Sequence, residues 1–409
     1  MQRTRTRPFP GRMFSFGTAF VWKLLFIMFS VEFVKGALLV SVLPVYFNRE
    51  LGLSAYVLGW AFALQYVGDN ACRAPAGWMI DRWGYRLPMA AGLSFGFAGV
   101  AALAWLDGAG WMLAGCFLLG AGTSPLWPCV VAGTTEASGQ EASGRAMSAI
   151  YVASFVGTGS GPIAINWLGT GGGAMRGPFL ACLALSAAAL AVGLFLPGRS
   201  AAGRRASAAT ALAKGGMLAA LRQVKGGALL YPAMFLQTLA LGLLTPVVTL
   251  YAREDLGLRP AEFSVLLLTG GAASLLLLLA VGRLADKYGT KPFLLSGIPL
   301  TAAATASFAL VESRTALYFA VVAAAVGYAL LIPSWNAFLA RAIPKARRGS
   351  AWGAFLAIEG SGFVVGPVAS GWLWDRASHA APFWASGAAL AGLFVLYLFI
   401  SLRKSDMLR

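Results

Sequence analysis

The chain has 409 residues, of which 58% are apolar and only 11% charged, and its mean hydropathy is +0.72. A soluble domain of this composition would expose a very large apolar surface, so the solvent of this chain is mostly lipid. The net charge of +17 does not indicate nucleic-acid binding, because the basic residues stand in short runs between apolar segments, a pattern that orients membrane helices.

Twelve apolar segments are long enough to cross a bilayer, which takes about 20 residues each. The expected helices are at 24–47, 55–80, 87–106, 111–135, 146–170, 178–197, 227–252, 262–285, 292–311, 315–340, 349–374 and 381–402. No cleavable leader is recognisable before the first segment, so that segment is expected to serve as the insertion signal. The sequence therefore predicts an all-α membrane protein with about twelve transmembrane helices.

Basic residues predict the orientation of these helices. If the N-terminus is cytoplasmic, 24 of the 32 Lys and Arg residues lie on the cytoplasmic side and 6 on the opposite side. Both termini are therefore expected in the cytoplasm, and the compact loops favour the plasma membrane of a bacterium. The segment 198–226 contains six basic and no acidic residues, and it is expected to be a cytoplasmic linker between the halves 1–197 and 227–409.

The two halves repeat each other at an offset of 205 residues. The shift aligns Gly77 with Gly282, Asp81 with Asp286, Gly84 with Gly289, Gly157 with Gly362, Gly161 with Gly366 and Pro162 with Pro367. One fixed offset over more than a hundred residues indicates a duplication. The expected architecture is two pseudo-symmetric six-helix bundles with a site between them.

A charged loop follows the second helix of each half. The first contains Gly77, Asp81, Arg82, Gly84 and Arg86, and the second contains Gly282, Asp286, Lys287, Gly289 and Lys291. Both resemble the G-x-x-x-D-R-x-G-R/K loop of the major facilitator superfamily, whose members transport solutes by alternating access. The resemblance implies that these residues stabilise the outward-facing state.

A second repeated motif lies in helices five and eleven. Gly157, Gly161 and Pro162, with their counterparts Gly362, Gly366 and Pro367, resemble the first half of the antiporter motif of that superfamily. Ile165 and Asn166 stand where two further glycines are usual, so the motif fits either an antiporter or plain helix packing. The fourth helix has Phe117 where drug antiporters carry a buried Arg, which weakens a transfer of their coupling scheme.

Charges at membrane depth are costly and usually mark a pathway or relay. They are Glu32, Lys35, Asp69, Arg73 and Glu359. Helix geometry places Lys35 level with Asp69 and predicts two cross-helix pairs, Lys35 with Asp69 and Glu32 with Arg73. Movement of a cavity around such carboxylates can load and release protons. The alternative is that the pairs are static and fix helix packing.

The substrate is expected to be hydrophobic or amphipathic, because four of these five charges lie in the N-terminal half. Their placement resembles the glycolipid flippases of lipoteichoic acid assembly, a branch of the same superfamily. Further cavity candidates are Trp127, Asn166, Tyr328, Trp335 and Asn336, beside Glu359.

The predicted function is proton-coupled export or flipping of a drug-like compound or glycolipid by a monomer that is not an enzyme. The cysteines show no metal-ligand spacing, and neither a metal nor a cofactor is expected. Two alternatives remain open, an uncoupled facilitator of a small solute and an intramembrane lipid-modifying enzyme.

Overall fold

A computed structural model describes residues 19–138, 143–168, 176–196, 227–311, 313–342 and 348–406. The predicted linker 198–226 lies outside the described residues. Twelve long helical segments were found in the described part of the chain. They are α1 (Ala19–Glu50), α2 (Ala55–Trp83), α3 (Arg86–Trp105), α4 (Ala109–Thr123, continued by Leu126–Ser138), α5 (Ser143–Leu168), α6 (Arg176–Leu194), α7 (Gly227–Asp255), α8 (Pro260–Tyr288), α9 (Lys291–Leu310), α10 (Arg314–Ala342), α11 (Arg348–Arg376) and α12 (Ala381–Asp406).

The predicted fold class is confirmed, and each helix lies within a few residues of its expected position. Eleven of the helices are long and apolar enough to cross a membrane. The remaining helix, α2, carries Gln65, Asp69 and Asn70 in its middle, which lowers its hydropathy. Helix α4 was expected to be continuous but is interrupted at Ser124 and Pro125, because proline has no N–H to donate to the helix.

The two halves pack their helices in the same order. In the first half, α1 packs on α5 and α6, α4 packs on α2 and α3, and α3 also contacts α6. In the second half, α7 packs on α11 and α12, α10 packs on α8 and α9, and α9 also contacts α12. The main helix pairs of one bundle thus correspond to those of the other, as the 205-residue repeat predicts.

Three helix pairs join the halves in the described residues: α2 with α11, α5 with α8 and, at one end only, α1 with α7. The two halves also share an apolar core at the end of the molecule where α1 meets α2, with Leu43 and Phe47 from the first half and Leu250 and Phe383 from the second. We call this the closed end. Three other apolar cores each take their buried residues from one half: one lies within residues 21–196, one within residues 230–397, and a smaller one within residues 252–317.

The opposite end, where α2 meets α3, is open between the halves. A Cβ atom added at Gly77 or at Gly282 would meet no described atom within 4 Å. Trp78 and Tyr288 are exposed there by 52% and 61%. We call this the open end.

Exposed tryptophans form a belt near each end of the bundle. Trp22, Trp78 and Trp83 lie near the open end, and Trp105, Trp111, Trp167, Trp372 and Trp384 lie near the closed end. Indole rings favour the interface between lipid and water. The two belts, together with the many exposed apolar side chains between them, are typical of a bundle embedded in a bilayer.

Candidate functional site

Glu32 is the centre of a polar cluster inside the first half. Its carboxylate is almost fully buried and lies at the junction of α1, α4 and α5. Trp127 Nε1 donates to Oε1 at 3.3 Å, and Thr158 Oγ1 donates to Oε2 at 3.0 Å. The ammonium of Lys35 lies 3.1 Å from Oε2. Three donors from three helices therefore hold one buried carboxylate, which is the arrangement that a buried charge requires.

A second ion pair lies on α2. Arg73 Nη2 lies 2.7 Å from Asp69 Oδ2, and the buried Nε of Arg73 has no hydrogen-bond partner among the described residues. The predicted cross-helix pairs are therefore wrong: Glu32 pairs with Lys35, and Asp69 pairs with Arg73, each within its own helix. Spacings of three and four residues place both members of a pair side by side on one face of the helix. Each charge is therefore closer to its partner on the same helix than to the charges of the next helix.

Tyr66 connects the two ion pairs with the second half. It lies within electrostatic reach of Lys35, Asp69 and Glu32, and its ring stacks on Phe363 of α11 with centroids 4.9 Å apart. Lys35 and Asp69 also lie within electrostatic range of each other. The charges of the first half thus lie beside the α2–α11 contact, where the halves move relative to each other in any alternating-access cycle.

An aromatic row extends from Glu32 along α4 and α5. The ring centroids of Trp127 and Tyr151 are 5.6 Å apart, and those of Tyr151 and Phe155 are 6.2 Å apart. Tyr151 and Phe155 are about half exposed. A row of aromatic side chains therefore borders the polar cluster.

The cavity candidates of the second half are dispersed. Trp335 is buried in the core of that half, where its ring contacts that of Phe338, and Asn336 is exposed on the same helix. The indole Nε1 of Trp335 and the hydroxyl of Tyr328 are buried without a hydrogen-bond partner among the described residues. None of these three residues contacts the Glu32 cluster in the described structure, and their role as cavity residues stays a prediction.

Glu359 and Asn166 occupy different levels of the molecule. Glu359 precedes Gly360, which lies against Asn70 of α2, so Glu359 is level with Asp69. Asn166 is eight residues beyond Thr158 on α5, about 12 Å nearer the closed end. Its amide nitrogen is buried without a partner among the described atoms. Asn166 is therefore remote from the Glu32 cluster.

The repeated glycines lie where helices touch. A Cβ at Gly161 would overlap the carbonyl of Phe33, and one at Gly157 would lie 2.6 Å from the carbonyl oxygen of Phe29. Gly362 and Gly366 pack in the same way on α7, and the carbonyls of Pro162 and Pro367 contact α1 and α2. These contacts position Thr158 against Glu32.

The charged loops lie at the open end. Gly84 and Gly289 have φ angles of +80° and +82°, a conformation that favours glycine, and they end α2 and α8. Arg82 lies over the rings of Trp78 and Trp83. Arg86 and Lys291 begin α3 and α9. The side chains of Asp81 and Asp286 lie outside the described part, and the role of these loops stays a prediction.

Two members of the site were not expected from the sequence. Thr158 and Tyr66 contribute a donor and an inter-half stacking contact. The sequence signal for Thr158 is its place between Gly157 and Gly161, which indicates the α5 face that packs on α1. Within the described residues, no group of three or more His, Cys, Asp or Glu residues is placed to hold a metal ion.

Comparison with known proteins identifies the family. The sequence profile of the Major Facilitator Superfamily matches residues 24–231 and again residues 230–407. The chain belongs to the Major Facilitator Superfamily. It is therefore a multi-pass membrane transporter and not an enzyme, which removes the lipid-modifying alternative.

Two relatives and two solved structures illustrate the relationship. The chain is 23% identical to the proton-coupled antiporter flippase LtaA of Staphylococcus saprophyticus, over 85% of each chain, and 23% identical to LtaA of Staphylococcus aureus, over 85% of this chain and 86% of the relative. The nucleoside transporter NupG superposes with a TM-score of 0.79 at 16% identity, over 94% of this chain and 99% of the other. A D-xylose–proton symporter superposes with a TM-score of 0.73 at 16% identity, over 92% and 96%. At this identity the solved structures show the shared fold alone.

Proposed function

We propose that this transporter is a proton-coupled antiporter that flips or exports an amphipathic substrate, with Glu32 and Asp69 as the proton-linked carboxylates and Lys35 and Arg73 as their partners. The observation that carries the proposal is the buried Glu32 carboxylate, which is held by Trp127, Thr158 and Lys35. This cluster lies beside the contact of α2 with α11, which we call the seam of the two halves. The relatives named proton-coupled antiporter flippases support the same class.

The chemistry of coupling follows from the ion pairs. A proton that binds Glu32 removes the negative charge opposite Lys35, and the ammonium is then free to interact with Asp69 or with an anionic group of the substrate. Movement of α11 against α2 changes the exposure of Asp69 and of Tyr66 to water. Proton loading and the conformational step are thereby linked through neighbouring residues.

The substrate class follows from the walls of the cavity. The first half offers charges and the row Trp127–Tyr151–Phe155, whereas Glu359 is the membrane-depth charge that the sequence places in the second half. A polar headgroup fits against the first half, with the hydrocarbon portion of the substrate against the apolar second half. A glycolipid or an amphipathic drug-like compound has this form.

The molecule acts as a monomer in a bacterial plasma membrane, with both termini in the cytoplasm and with the two halves, 1–197 and 227–409, rocking about the site. In this orientation the open end faces the cytoplasm, and the conformation is inward-facing. The basic count of the loops supports this sidedness.

Transport by purified protein in liposomes tests the proposal. Internal pH is recorded while a gradient of a fluorescent glycolipid or of a lipophilic cation is imposed, for the native chain, Glu32→Gln and Asp69→Asn. Asp107→Asn serves as the matched control, because this carboxylate contacts Tyr46 at the closed end of its own half. Substrate-dependent proton flux is expected to be lost in both site variants and retained in the control. Flux that persists in both site variants at every pH would refute the coupling.

An uncoupled facilitator is the second candidate. Each charge at the site already has a partner on its own helix, which is how static pairs behave. In that case substrate equilibrates across the liposome membrane without any change of internal pH.

A further inference from the structure

The end of α11 repeats the motif found at the end of α2. Helix α2 ends in Gly77-Trp78-x-x-Asp81-Arg82, at the open end, and α11 ends in Gly371-Trp372-x-x-Asp375-Arg376, at the closed end. The 205-residue repeat does not explain this similarity, because it aligns Gly371 with Asn166 and Asp375 with Thr170. The motif therefore occurs at opposite ends of two helices that pack on each other.

Asp375 binds the first turn of α2 across the seam. Its Oδ1 accepts from the backbone N–H of Ala55 at 3.2 Å, and its Oδ2 accepts from that of Tyr56 at 2.9 Å. The third free N–H of this turn, that of Val57, is bonded by the side chain of Ser54. The second half thus supplies two of the hydrogen bonds that the start of α2 requires, and its negative charge lies at the positive end of the helix dipole.

Gly371 allows this approach. A Cβ at that position would overlap the carbonyl of Ala55 and lie 2.7 Å from Cα of Tyr56. Real Cβ atoms do not come this close to a backbone atom, so a larger residue would force α11 away from α2. Gly77, the equivalent residue at the open end, has no described atom within 4 Å of its added Cβ.

The loop after α11 is held in place by the chain's single histidine. The ring of His379 stacks on Trp374 with centroids 4.0 Å apart, and its Nδ1 lies 2.8 Å from Asp255 Oδ1 at the end of α7. The residue next to Trp374 is Asp375. Contacts within the second half therefore hold the Asp375 carboxylate in the position from which it binds the first half.

Further hydrogen bonds join the halves beside it. The guanidinium of Arg49 donates to the carbonyl of Arg253 at 3.1 Å, and the hydroxyl of Thr249 donates to the carbonyl of Val40. In both of these bonds the acceptor is a backbone carbonyl. Asp375 differs, because it brings a full charge to two donors at once.

We propose that Gly371 and Asp375 form a conformational lock that stabilises the state in which the closed end is joined. When the halves separate at this end, the two N–H groups of α2 lose a charged acceptor, and Gly371 loses its contact. The motif at the end of α11 then stabilises the state in which the closed end is joined. The motif at the end of α2 stabilises the other state, in which the open end is joined. This inference concerns the conformational equilibrium and holds with or without proton coupling.

Distance measurements between spin labels test the lock. Leu106→Cys and Ser313→Cys place one label on each half at the closed end, and Leu87→Cys and Tyr288→Cys do so at the open end. The background is Cys72→Ser, because the other three cysteines are buried. Each labelled pair is recorded in lipid nanodiscs with the native residue, with Asp375→Asn and with Gly371→Ala.

Both variants are expected to raise the ratio of separated to joined populations at the closed end by roughly tenfold. Asp375→Asn weakens two strong hydrogen bonds to a charged group, and Gly371→Ala adds a Cβ that overlaps the carbonyl of Ala55. The open-end pair should shorten correspondingly. Asp107→Asn and Gly77→Ala are the matched controls and should not increase the separated population. Unchanged distances in Asp375→Asn, or the same shift in Asp107→Asn, would overturn the proposal.

Discussion

At the scale of single residues, the site depends on a buried carboxylate with several donors. Glu32 is 3% exposed, and its nearest cation, Lys35, retains 27% of its side-chain exposure. Loss of one partner of a buried pair leaves an uncompensated charge, which costs more than loss of both partners. The stability of the first half is therefore sensitive to which of these groups is removed.

Lys35→Met should destabilise the protein more than the double variant Glu32→Gln with Lys35→Met. The single change leaves the buried Glu32 carboxylate without its cation, at a cost of about 3 kcal/mol, and the double change removes that uncompensated charge. Unfolding in detergent by denaturant titration measures the difference. A parallel cycle pairs Lys35→Met with Asp69→Asn and should give weaker coupling. If Lys35 instead coupled more strongly to Asp69 than to Glu32, the cross-helix pair would be the correct one, and the pairing within α1 would be refuted.

The sequence predicts which residues are charged at membrane depth but not how they pair. Rise per residue predicts a common level for Lys35 and Asp69, because it depends only on helix geometry, and the two groups lie within electrostatic range of each other. The partner of each charge depends on the rotation of α1 relative to α2, to which hydropathy is insensitive. Tyr66 was missed for the same reason, since its role arises from Phe363 on a helix nearly 300 residues further along the chain.

At the scale of helices, small residues set the distance between α1 and α5. Gly36 and Gly161 lie on facing sides of this contact, the first against the carbonyl of Thr158 and the second against that of Phe33. Helices in lipid associate through such close packing, because apolar burial gives no advantage there. The hydrogen bond from Thr158 to Glu32 depends on this short distance.

Gly161→Ala and Gly159→Ala should have opposite effects on stability. An added Cβ at Gly161 overlaps a backbone carbonyl, and the resulting separation of α1 from α5 should cost about 2 kcal/mol. At Gly159 the Cβ meets no described atom within 4 Å, and alanine should stabilise the helix by up to about 1 kcal/mol. Thermal unfolding of the two variants in the same detergent measures both. Equal melting temperatures would refute a steric role for Gly161.

At the scale of the whole molecule, the sequence predicts the architecture well and the conformational state not at all. Twelve segments and the 205-residue repeat suffice for the two bundles, because lipid requires long apolar helices and the duplication requires equivalent packing. Which end is closed depends on a small difference between two packings of the same helices. Contacts such as Asp375 with the start of α2 decide it, and they join residues more than 300 positions apart.

The sidedness of the closed end decides the meaning of the whole structure, and it can be measured in intact cells. Ser313→Cys lies in the loop between α9 and α10 at the closed end, and Leu87→Cys lies at the open end, both in the Cys72→Ser background. A membrane-impermeant maleimide should label Ser313→Cys in intact cells and Leu87→Cys after permeabilisation, because 24 of 32 basic residues are assigned to the open-end side and the termini. That result makes the conformation inward-facing, with substrate and protons reaching Glu32 from the cytoplasm. Labelling of Leu87→Cys in intact cells, and of Ser313→Cys only after permeabilisation, would show that the structure is outward-facing. The lock formed by Asp375 would then close the cytoplasmic end.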